Sequence, residues 1–142
     1  MAVITDIADA IVAELNAATF SQPVTAARHY LPQFDLKAMQ TLHVTVVPKA
    51  VVLASSDRSR GQGDYSVDVA VQKKFETEAN VELDPLTNLA EEIADHFRAK
   101  RLPSYLNAAW IKTEQNILYA PEHIDELRQF TSVLTLTYRV LR

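Results

Sequence analysis

The chain has no cysteine. That excludes a disulfide framework and any thiolate metal site, and it fits synthesis in a reducing cytosol. Glycine is almost as scarce. The only two, Gly61 and Gly63, both fall in "DRSRGQGDYSVDVAVQKK", Asp57 to Lys74. No apolar run approaches the ~20 residues a membrane-spanning helix needs. Positive charge is missing over one long stretch. Between Lys74 and Arg98 there is no Lys or Arg, while Glu76, Glu78, Glu82, Asp84, Glu91, Glu92 and Asp95 all lie there. The formal net charge is −4, which argues against a general nucleic-acid-binding role.

What is present is ordinary for a globular domain. The chain has 142 residues, 48% hydrophobic and 23% charged, enough for one domain over 1–142 with one substantial core. "MAVITDIADAIVAEL" has the look of a signal peptide but no basic leader, and Asp6, Asp9 and Glu14 interrupt it. It reads as a mature amphipathic helix with Ile4, Ile7, Ile11 and Leu15 on one face. A strand is expected from Val24 to Leu31, ended by Pro32, and a connection from Asp35 to Thr41. "LHVTVVP" alternates Leu42, Val44 and Val46 with His43 and Thr45, and "AVVLASS" continues it as a bent strand or hairpin partner.

Residues 55–64 read as a mobile, glycine-containing hairpin loop. Beyond it Tyr65, Val67, Val69 and Val71 alternate with polar residues, the mark of a strand with one buried side. Asp84 as N-cap and Pro85 at the first helical position predict a second helix. Its apolar stripe is Leu86, Leu89, Ala90, Ile93 and Phe97, and it should end near Arg101 and Leu102. A strand follows at about Trp110–Tyr119, then a helical turn or loop in "PEHIDELRQ". The chain closes on a strand with Phe130, Leu134, Leu136, Tyr138 and Val140 on one face and Thr131, Thr135, Thr137 and Arg139 on the other. That polar face is expected to be wet or covered by another chain. The order predicts an α+β two-layer sandwich: a mixed or antiparallel sheet, two main helices on one face, and a long C-terminal strand.

Chemical motifs are few. A phosphate cradle needs glycines at a strand-to-helix turn, but Gly61 and Gly63 lie between two strands, with no third glycine and no GK[ST]. The loop is either a plain hairpin or a finger in which Arg58 and Arg60 reach a partner. Glu92 and His96 are four apart, with Asp95 beside them, as a helical metal pair would be. A solvated helix face explains all three residues, and no second ligand pair occurs. No G-x-S-x-G or other nucleophile motif is present. Trp110 is a packing residue or an interface anchor. The acidic stretch followed by Arg98, Lys100 and Arg101 either suits a helix dipole or marks a patch for a basic partner. No catalytic, cofactor or metal residue is assigned.

"ITDIADAIVAELN", "FSQPVTAARHYLPQFDLKAMQTLHVTVVPK", the charged glycine loop, "YSVDVAVQKKF", "LDPLTNLAEEIADHFR" and "FTSVLTLTYRV" together resemble the small neck and tail-completion proteins of tailed bacteriophages and prophages, the tail-terminator-like group. The resemblance covers most of the chain but carries no active-site motif. It implies a structural protein without cofactor, not an enzyme, that forms a ring, often a hexamer. It also implies tail-tube and neck or connector partners, passing contact with DNA phosphates in the lumen, no membrane, assembly in the host cytoplasm and a place in the virion. Arg58, Arg60, Gly61, Gly63 and Trp110 are then the candidate partner contacts. Two other readings stay open. One is a small-molecule enzyme with a cone-shaped pocket, using Asp35, His29, Tyr30 or His43 as acid and base. The other is a host adaptor domain.

Overall fold

In a computed structural model, residues 2–30, 41–55, 57–76, 80–117, 119, 121 and 129–141 are described. Helix α1 is Val3–Ala17, strand β1 Ala26–Arg28, β2 His43–Ser55, β3 Gly61–Lys74, α2 Asn80–Phe97, β4 Ala109–Ile117 and β5 Gln129–Leu141. The strands form one sheet in the order β1-β2-β3-β5-β4. β1 runs parallel to β2, and every other pairing is antiparallel. This is the expected α+β architecture, with a mixed sheet and a long C-terminal strand.

The helical periods become the core directly. Ile7, Ile11 and Leu15 of α1 are buried, as are Leu86, Leu89, Ile93 and Phe97 of α2. They join Val44, Val46, Val67, Val69, Val71, Leu134, Leu136 and Tyr138 of the strands in a single cluster. Each fully buried aliphatic side chain contributes about 1.5–3 kcal/mol. Asn16, near the end of α1, fixes where β1 lies. Its amide nitrogen donates to the Ala26 carbonyl at 3.2 Å, and its oxygen accepts the Ala26 N–H at 2.7 Å.

Several boundaries differ from expectation. α2 starts at Asn80, so Asp84 and Pro85 lie inside it rather than capping it. The hydrogen bond that proline cannot make falls in a turn beside exposed Val81, where water can serve the freed carbonyl. The same helix stops at Phe97 because Ala99 turns left-handed, with φ 57°. Its neighbour Lys100 donates its N–H back to the Phe97 carbonyl at 3.4 Å. β1 is shorter than the predicted strand and ends at Arg28. The expected connection at 35–41 and the helical turn in "PEHIDELRQ" fall mostly outside the described residues.

β5 is not an edge. It is bonded to β3 on one side and to β4 on the other. Thr131, Thr135 and Thr137 are buried within the single chain, so the polar face is not the wet or partner-covered surface expected of a terminal strand. Paired neighbours flank these threonines, and polar contacts knit the face together. Thr135 donates to Asp68 at 2.6 Å, and the Ser66 and Thr137 hydroxyls are 3.2 Å apart. Arg139 grips Asp64 through two hydrogen bonds of 2.8 and 3.2 Å.

Candidate interaction surface

The β2–β3 hairpin carries four of the five predicted contact residues. Glycine does not make its turn. Asp57 does, accepting the N–H groups of Ser59 and Arg60, both at 2.8 Å, and the Ser59 hydroxyl at 3.2 Å. This is an Asx-type turn, in which a carboxylate satisfies the amides of the residues after it. The same amide bonds hold the Asp57 carboxyl below the usual carboxylate range. Arg58 and Arg60 are exposed at the tip.

Gly61 and Gly63 stand in the ladder, opposite Ser55 and Leu53, so the connection is shorter than the 55–64 loop expected from sequence. Neither glycine has positive φ. Gly63 instead makes room for a ring: a Cβ there would lie 2.6 Å from Tyr65 Cε2 and 2.9 Å from its hydroxyl. This is glycine used for close approach rather than for a turn.

The register of β2 shifts between Pro48 and Ala50, and the extra residue reverses the strand's facing. Before it, Val44, Val46 and Pro48 stand opposite Val71, Val69 and Val67. After it, Val51 and Leu53 stand opposite Tyr65 and Gly63, on the same side of the sheet. A bulge of this kind re-aims the side chains beyond it. Val51, Val52 and Leu53 are 43%, 63% and 73% exposed, and every residue from Lys49 to Ser55 is exposed. β1 pairs with β2 only from Val44 to Val46. Among the described residues no strand continues along the outer side of β2 beyond that point.

This apolar strip was absent from the sequence reading. "AVVLAS" has no alternation, and an apolar run of that length reads as a buried strand. A hint lay in Pro48, a residue that sits at bulges and sheet edges.

Trp110 lies on the opposite flank of the sheet, in β4. It packs against the core, and its indole N–H donates to Thr113 Oγ1 at 2.9 Å. It borders a groove of about 340 Å³ between α2 and β4. The structure therefore groups Arg58, Arg60, Gly61 and Gly63, and sets Trp110 apart from them.

Among the described residues the predicted alternatives do not converge. Glu92 accepts the Ser21 N–H and hydroxyl at 3.2 and 2.7 Å, while His96 turns to Glu14. The two therefore do not share one ligand position. His29 donates its backbone N–H to Val46, His43 lies beside Thr41, and Tyr30 is exposed with the Arg28 guanidinium 5.8 Å from its ring. Asp35 lies outside the described residues. No helix among the described residues is long and apolar enough to cross a membrane.

No family model matches the sequence, and no curated protein matches it. Among solved structures, the chain is similar to the sheath/tube terminator of an extracellular contractile injection system (PVC), seen by cryo-EM in the extended state. Identity is 15% and the TM-score 0.45, over 100% of this chain and 57% of that one. This chain spans little more than half of that neighbour's length.

Proposed function

We propose that this protein is a structural assembly subunit of the tail-terminator or neck type. Copies of it form a ring that caps a tail tube and joins it to the capsid, within a virion assembled in the host cytoplasm. The observation that carries the reading is the outer half of β2. A strand whose edge is covered by no described strand, and which is apolar and exposed on both faces, is a liability for a subunit working alone, and natural sheets cover or charge such edges. An assembly subunit has a use for it. The element order and the sequence resemblance to tail-completion proteins support the same reading.

The mechanism is geometric. Subunits meet side by side, and the hairpin tips on one rim engage the next ring or the tube. Any contact with DNA is a passing one to phosphates in the lumen, which positions without reading sequence. The test is native mass spectrometry of the protein alone and mixed with its tail-tube protein. A closed oligomer, or one that forms only on the tube, is expected. A strict monomer that also ignores the tube protein overturns the proposal.

A further inference from the structure

The geometry points to a second copy of this chain as the occupant of the outer half of β2, and to the groove between α2 and β4 as the surface that copy presents. This rests on the ring reading above and names the two surfaces such a ring needs.

The sheet's edges are treated differently. β1 has three residues, and the Ala26 backbone is held by Asn16. β4 carries Lys112 and Glu114, paired at 3.0 Å, and its register slips at two places. Short length, side-chain blocking, charge and irregularity all discourage the addition of another strand. From Ala50 to Ser55, β2 has none of these. Its nearest charge is Lys49, at the bulge that begins this segment.

Charge selects the partner surface. Between Lys49 and Gly63 the only acid is Asp57, and its carboxylate is occupied by the turn amides. Arg58 and Arg60 have no ion pair among the described residues, so the hairpin end is basic. On the other flank, α2 turns Asp84, Asn88, Glu91 and Asp95 outward in one stripe and contains no lysine or arginine. Asp95 also lines the groove, with Ala94 and Trp110 as apolar lining. The groove's two cations are Arg98, just past the end of α2, and Lys112, which is already paired with Glu114 at 3.0 Å. The negative charge on this flank therefore lies along the α2 stripe rather than in the groove itself. Val51 and Leu53 match that apolar lining, and the arginines match the acidic stripe.

The strip and the groove occupy opposite flanks of one sheet. A copy docked through them leaves its own strip free for the next copy. Head-to-tail contacts of this kind close into rings when the rotation permits. Strip-to-strip pairing about a two-fold axis instead uses one surface twice, stops at a dimer and leaves the groove and the acidic stripe uncovered.

Because the chain lacks cysteine, thiol cross-linking reads the arrangement directly. Leu53→Cys and Ala94→Cys, placed together in the full chain and treated with a short bismaleimide both alone and with the tail-tube protein present, are expected to give a ladder of covalent multimers in at least the second case. Each variant alone gives none. A dimer from Leu53→Cys alone, or no product from the pair in either case, overturns the assignment. Circular dichroism beforehand confirms that each variant is folded. As a second readout, Arg58→Glu with Arg60→Glu, or Glu91→Lys with Asp95→Lys, weakens self-association roughly tenfold or more. All four substitutions together restore it, and failure of that rescue counts against the pairing. If the wild type binds the tube protein but the cysteine pair gives no ladder, the surfaces are wrong and the terminator reading survives. A ladder without tube binding has the opposite meaning.

Discussion

His96 Nε2 lies 2.6 Å from Glu14 Oε1, which ties α2 to α1 above the sheet. The rings of Phe20 and Phe97 meet the imidazole edge-on, with centroids 5.5 and 5.3 Å away. Both polar side chains are about one-quarter exposed, so water screens the pair only partly. Removing either partner leaves the other short of a hydrogen bond in a half-buried place, at a cost of about 1–2 kcal/mol. Glu14→Ala and His96→Ala are therefore each expected to lower stability by that amount. The double variant should lose less than the sum, with a coupling of about 1 kcal/mol. Urea unfolding of the four proteins measures it, and strict additivity would show that the contact contributes nothing.

Tyr138 makes a sharper case. Its ring is fully buried, and its hydroxyl has no hydrogen-bond partner among the described residues. Burial, and then the negative charge of Glu14, push its pKa well above the usual 10.0. Deleting the hydroxyl removes an unsatisfied group and keeps the ring, so Tyr138→Phe is expected to be neutral or stabilising by up to ~1 kcal/mol. The pH dependence has a definite sign. Below about pH 10 both folded and unfolded chains keep the phenolic proton, and the stability is fully present. As pH rises further the unfolded chain releases its proton and the folded chain does not, so stability falls by about 1.4 kcal/mol per pH unit. Tyr138→Phe should flatten that part of the alkaline decline. An unchanged slope in denaturant titrations above pH 10 would falsify the assignment.

The helices, the buried strand faces and the layer architecture were legible because side-chain period encodes facing. Ile7, Ile11 and Leu15 fell where a helical repeat puts them, as did Tyr65, Val67, Val69 and Val71 on their strand. Asp84 and Pro85 misplaced the start of α2 because residues that favour a first turn are also tolerated in a second when the lost bond faces water. The interior place of β5 was not legible, since strand order is set by pairings between distant segments and leaves no local signal. The exposed strip was hidden for a different reason. One extra residue at the Pro48–Ala50 shift reverses the facing of everything after it, and no periodicity announces that. Scarcity drew attention to the glycines as a loop, but the turn belongs to Asp57.

Gly63 supplies a test of that last point. If it were present for loop freedom, alanine would cost little in its extended conformation. If it makes room for Tyr65, a Cβ arriving 2.6 Å from the ring must push aside a buried aromatic. Overpacking of this kind costs about 1–3 kcal/mol. Gly63→Ala is expected to fall in that range, measured by thermal unfolding. In a Tyr65→Leu background, where the ring is gone, the same substitution should be close to neutral. An equal penalty in both backgrounds would place its origin in the backbone.

Ala99 marks the end of α2 at an avoidable cost. It sits at φ 57°, in the left-handed region where a Cβ crowds the backbone, and glycine is the residue usually found just past a helix terminus. Ala99 and its neighbours Arg98 and Lys100 are exposed, so a substitution there disturbs no core packing. Ala99→Gly relieves the strain but also gives the unfolded chain more freedom, and the two effects oppose each other. The strain relief is about 1–2 kcal/mol and the entropic loss about 0.5–1 kcal/mol, so a net gain of roughly 0.5–1 kcal/mol is expected. Because the site lies at the end of the helix, the gain should show as slower amide exchange in the last turn of α2. A destabilised Ala99→Gly would mean that the left-handed turn is held by something other than local geometry.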